Sequence, residues 1–128
     1  MEDSAFGLAG ANADLECRIY VAAPSRDRLL ERLAAALKVS LGPDRVISYG
    51  CVEVEWEHND YEGTEADVEF LDWHSLLVCQ PRRNASTTAV VSDTATVLEA
   101  VREAGYRAAP VCDYEELLQK PGAGLRPA

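Results

Sequence analysis

The chain has 128 residues, 48% of them hydrophobic, and a formal net charge of −10 from 22 acidic and 12 basic side chains. That length and apolar content suit one globular domain with its own core and exclude wholesale disorder. The acidic balance argues against nucleic acid or an anionic membrane surface as partner, because phosphate recognition needs a basic patch. No apolar run nears the ~20 residues of a bilayer span.

The opening MEDSAFGLAGANAD places acids where a signal peptide carries bases, and it has no apolar block to follow them. A cytoplasmic location is therefore expected. Cys17, Cys51, Cys79 and Cys112 are spread singly through different apolar runs, without the close pairs that preorganise zinc or redox sites. They read as small buried hydrophobes, unpaired in a reducing compartment.

Residues 1–13 are small, polar and aperiodic, and read as a flexible arm before a single α+β domain over 14–119; 120–128 reads as a loose tail. From Asp14 to Ala23 the pattern alternates. Leu15, Cys17, Ile19 and Val21 share one face and Glu16, Arg18 and Tyr20 the other, as in a half-buried strand. Ser25 is a suitable N-cap for a helix whose apolar side is Leu29, Leu30, Leu33, Ala36, Leu37 and Leu41, ending at Gly42-Pro43.

The stretch from Val46 to Pro81 holds nine acids and no Lys or Arg, together with both tryptophans and both histidines. In Cys51–His58, Val52, Val54 and Trp56 alternate with Glu53, Glu55 and Glu57. Three glutamates on one strand face repel one another and must meet solvent, which predicts an edge strand or an open sheet face. Residues 59–67 have turn chemistry around Gly63, and Phe70–Cys79 is apolar on nearly both sides, as in a central strand. A hairpin of these strands would set Val52, Val54 and Trp56 beside Leu71, Trp73 and Leu77. It would place His74 opposite Glu53 or Glu55 on the outer face, away from His58.

Residues 81–87 read as a loop, and 88–91 as a short strand or an extended approach to a second helix. Ser92 or Asp93 caps that helix, Val97, Leu98, Val101 and Ala104 form its apolar side, and Gly105 ends it. Arg107–Cys112 reads as a last strand, which Pro110 confines to an edge. Residues 113–118 read as a helical turn. The order is βαββαβ, predicting a ferredoxin-like four-stranded antiparallel sheet with both helices on one face.

No catalytic, cofactor-binding or metal-binding residues are assigned. His58, His74, Asp60 and Asp72 are the residue types of a carboxylate–imidazole site, but the predicted hairpin sends the two histidines to opposite faces. Residues 59–67 lack the residue order of a calcium loop. No nucleophile motif surrounds Cys79, Cys112 or Ser75, and no glycine-rich phosphate loop is present. The acidic segment remains.

Glu53, Glu55, Glu57, Asp60, Tyr61, Glu62, Glu65 and Asp67 together suit a docking surface for a basic protein, as in small acidic inhibitors of cationic enzymes. The expected role is thus a non-enzymatic interaction domain. The alternative is a small enzyme or ligand-binding domain with a pocket on the open sheet face, lined by Tyr20, Asp72 and His74 and closed by a second copy of the chain. The glutamates would then serve only to protect an edge strand.

Overall fold

The computed structural model describes residues 15–59, 73–114, 117 and 118. The elements are β1 (Cys17–Val21), α1 (Arg26–Leu37), β2 (Ile47–Tyr49), β3 (Val52–His58), β4 (Ser75–Pro81), α2 (Thr87–Glu103) and β5 (Ala108–Val111). The strands form one five-stranded sheet in the order β2-β3-β4-β1-β5, with every neighbouring pair antiparallel. The chain is an α+β domain with two long helices. Four strands were expected, so the predicted βαββαβ order is not matched in full: the additional strand is β2.

Strand β2 corrects the expected edge. It pairs Ile47, Ser48 and Tyr49 with Val54, Glu53 and Val52, so the first half of the glutamate strand has neighbours on both sides. The hairpin joining the two turns at Gly50-Cys51, where Gly50 has a positive φ of 56° and Cys51 does not. A first turn residue with positive φ is the requirement of a II′ hairpin, and glycine meets it without steric cost. From α2, Asp93 reaches the same turn, its Oδ2 accepting from the Cys51 backbone N–H at 2.9 Å.

Alternation explains the two faces of the sheet. Cys17, Ile19 and Val21 of β1 align with Cys79, Leu77 and Ser75 of β4, which align with Val54, Trp56 and His58 of β3. Except for Trp56 and His58, these are wholly buried, and the apolar ones share a single core with Leu29, Leu30, Leu33 and Leu37 of α1 and Val90, Val97, Leu98 and Val101 of α2. Both helices therefore cover this face. Each such aliphatic side chain contributes about 1.5–3 kcal/mol on burial. Strand β4 is buried on both faces, Leu76 and Val78 of the outer face being only 5% and 3% exposed, as the apolar run predicts for a central strand.

Strand β5 pairs with β1 and ends the order of the sheet, where Pro110 is tolerated. Beyond it, the Tyr114 hydroxyl donates to the Leu15 carbonyl at 2.8 Å, tying the two ends of the domain together. Leu118 is buried beside them.

Helix boundaries depart from expectation at two ends. Helix α1 stops at Leu37, five residues before Gly42, because Lys38 takes a left-handed conformation (φ 61°) and its N–H closes on Ala34 and Ala35 carbonyls. Within the helix Ala34 is buried and Ala36, expected on the apolar side, is exposed. Helix α2 starts at Thr87, with Ser86 as N-cap accepting from the Ala89 N–H at 3.1 Å. Residues 88–91 are thus its first turns rather than a strand, and Ser92 and Asp93 are mid-helix. Local β-branched content was outweighed by the cap and by the burial of Val90. Its C-terminal end is as read, with Gly105 at φ 101° directly after the Ala104 cap.

Candidate functional site

Glu53, Glu55 and Glu57 project from β3 on the face opposite the helices, alternating with buried Val52 and Val54 and half-buried Trp56. The ladder with β4 places Gln80 opposite Glu53, Val78 opposite Glu55 and Leu76 opposite Glu57. None of the three β4 partners is a cation; one strand further, Arg18 of β1 is in register with Glu55 through Val78 and pairs with Glu16 at 3.2 Å. Arg82, beyond the end of β4, reaches Glu53 at 3.6 Å, with both side chains close to half exposed. Among the described residues Glu55 and Glu57 are exposed and make no side-chain hydrogen bond or ion pair. Successive same-face residues of a strand lie about 6.8 Å apart, so their carboxylates repel through water. Asp60, Tyr61, Glu62, Glu65 and Asp67 lie outside the described residues, as does most of the segment compared with a calcium loop.

The pairing of β2 stops at Val54, and a cleft of about 290 Å³ opens where it ends. Arg26, Asp44, Arg45, Val46, Glu55 and Trp56 line it. The Arg26 guanidinium lies 5.9 Å from the Trp56 ring centre, and Asp27 holds both Arg26 and Arg45 at 3.0 and 2.9 Å. Arginines thus border the glutamate face on its β2 side and are partly neutralised by Asp27. Asp44 and Arg45 sit in a loop without periodicity, which hides them in the sequence. The available signal was the turn chemistry of Gly42-Pro43-Asp44, where Asp44 Oδ1 accepts from the Val46 N–H at 3.1 Å.

The largest correction concerns the histidines. His74 does not face Glu53 or Glu55: it precedes β4, and the Asn59 N–H donates to its carbonyl at 3.0 Å. The Asn59 side chain also donates to the Trp73 carbonyl at 2.6 Å, and Asn59 is only 2% exposed. These two bonds clamp residue 59 to residues 73 and 74. His58 and His74 consequently lie side by side, with ring centres 5.0 Å apart and planes at 74°. Trp56 is 6.5 Å from His58 and 6.0 Å from His74. The expected separation to opposite faces failed because His74 stands beyond the strand, where period-2 alternation no longer governs it.

Tyr20 lies on the outer face of β1, opposite Leu76, whereas His74 groups with side chains from the helix-covered side of β3. Those two members of the alternative pocket are therefore on different sides of the sheet, and Asp72 lies outside the described residues. Among the described residues no three His, Cys, Asp or Glu side chains form a cluster able to hold a metal ion.

The cysteines are free. Cys17 and Cys79 are fully buried cross-strand neighbours, and Cys112 hydrogen-bonds Cys17. Burial pushes the Cys79 thiol up to about 12; the Cys112 hydrogen bond and then burial raise that of Cys17 further. The Cys51 thiol is pushed up to about 11, first by burial and then by Asp93 beside it. Thiols so shifted stay protonated at neutral pH, the opposite of what a nucleophile needs. No described helix is long and apolar enough to cross a membrane.

Comparison of the chain with protein-family models, with curated proteins and with solved structures found no match.

Proposed function

We propose that the chain is a non-enzymatic interaction domain that docks a cationic protein through the outer face of β3 and the acidic residues following it. The observation carrying this reading is the pair Glu55 and Glu57, exposed and without a cationic partner among the described residues. They stand in a stretch of nine acids and no bases. Beside them on the same face lie the buried Leu76 and Val78 of β4, so the carboxylates stand on a strand paired to the packed centre of the sheet. Charges held on such a platform steer a basic partner during encounter and fix its orientation with little loss of side-chain freedom. Asp60, Tyr61, Glu62, Glu65 and Asp67 extend the same charge along the sequence, with Tyr61 as an aromatic anchor. The supporting frame is the split βαβ plan of ferredoxin-like domains with one hairpin strand, β2, added. That plan hosts many activities and carries no functional weight by itself.

The test is affinity capture from the source cell with wild type and with E53Q/E55Q/E57Q. A basic protein retained by wild type should bind the variant more weakly, mainly through a slower on-rate, and the difference should shrink as salt is raised. Recovery of the same proteins with both baits at every ionic strength would leave the glutamates as edge protection only.

A further inference from the structure

The geometry points to a binding site for a borderline divalent transition-metal ion, Zn²⁺ or Ni²⁺, on the His58–His74 pair. This goes beyond the docking surface and does not depend on it. Imidazole nitrogens bind such ions at about 2.0–2.1 Å, which puts each ring centre roughly 3.2 Å from the ion. Two rings sharing one ion at angles between octahedral and tetrahedral then have centres roughly 4.5–5.2 Å apart. The observed separation of 5.0 Å falls inside that window before any ion is present.

The pair is also held in place. Asn59, buried directly after His58, puts its backbone N–H on the His74 carbonyl and its side chain on the Trp73 carbonyl. The Trp56 indole, fixed by its hydrogen bond to Ser75 at 2.9 Å, backs both rings. The backbone that carries both imidazoles is thus set before an ion arrives, which lowers the ordering cost of chelation. His58 is exposed and His74 partly so, which leaves an approach for a hydrated ion. Two protein nitrogens and water complete an exchangeable site rather than a closed structural one.

The experiment uses the untagged full chain, freed of metal with a chelator and titrated with Zn²⁺ by calorimetry and with Ni²⁺ by tryptophan fluorescence. The expected result is saturable binding of one ion per chain, with quenching by Ni²⁺ because Trp56 lies beside the pair. His58→Asn and His74→Asn should each weaken binding by at least ~10-fold, since even outer-shell partners of a metal ligand are worth that much. Both ring nitrogen spectra of the wild type should shift on adding Zn²⁺, a readout that needs no variant to fold. Absence of saturable binding would overturn the site, as would a shift of one ring alone or unchanged affinity in the double variant. Displacement of Zn²⁺ by an equal concentration of Ca²⁺ would place the ion on carboxylates and overturn it equally.

Discussion

The Trp56 indole donates to Ser75 Oγ at 2.9 Å, and Ser75 in turn donates to the Ala23 carbonyl at 2.7 Å. Ser75 has no exposed surface, so both its bonds are made inside the protein. Ser75→Ala leaves a donor and an acceptor unpaired and should cost about 1–3 kcal/mol in urea unfolding. Trp56→Phe keeps most of the ring and should cost nearer 1 kcal/mol. At the same scale, Cys51 and Cys112 are half-buried while Cys17 and Cys79 have no exposed surface. A thiol reagent followed by mass spectrometry should label the first two in the native state and the second two only on unfolding. The raised thiols also set an alkaline limit. Each binds its proton more tightly folded than unfolded, so their stabilisation is complete below the unfolded value of 9.0 and fades as pH rises toward the folded value of about 12 for Cys79. Urea midpoints should fall across that interval, and fall less steeply in Cys79→Ala.

At the level of elements, the β2–β3 hairpin is fastened to α2 by one carboxylate. A side chain at Gly50 would run into the Asp93 carboxylate, and φ 56° disfavours any L residue there. Gly50→Ala should therefore cost more than the ~1–2 kcal/mol of left-handed strain alone. Asp93→Ala removes both the obstacle and the acceptor for Cys51 N–H, so the double variant should be less destabilised than the sum of the single changes. Strict additivity in urea unfolding would show that the two residues do not meet.

For the molecule as a whole, charge and packing separate by face. The core between sheet and helices holds the apolar side of every strand, while Glu53, Glu55 and Glu57 stand on the other side. E53Q/E55Q/E57Q removes repulsion and one exposed pair, Glu53–Arg82, worth about 0–1 kcal/mol. Unfolding stability should stay within about 1 kcal/mol of wild type. A larger loss would mean that the glutamates belong to the fold rather than to a surface free to dock.

Alternation and capping were legible because they depend on neighbours in the chain. The buried set Cys17, Ile19 and Val21, the Ser25 cap, the edge position of Pro110 and the Gly105 stop all follow from local rules. Strand β2 was not legible: three residues offer too little periodicity, and what makes Ile47–Tyr49 a strand is its pairing with β3 across a turn held by the distant Asp93. The register of β3 on β4 was right in parity, since a one-residue slip would bury glutamates, but misplaced along the strand: Glu53 and Glu55 meet Gln80 and Val78, not His74. That position decides whether His74 meets a glutamate or His58. It was settled by the buried Asn59, whose bonds to residues 73 and 74 exist only once the two strands are paired. Composition and alternation determined an acidic domain with one charged strand face; tertiary pairing decided which side chains share a site, because hydrogen bonds between remote residues leave no periodic trace in sequence.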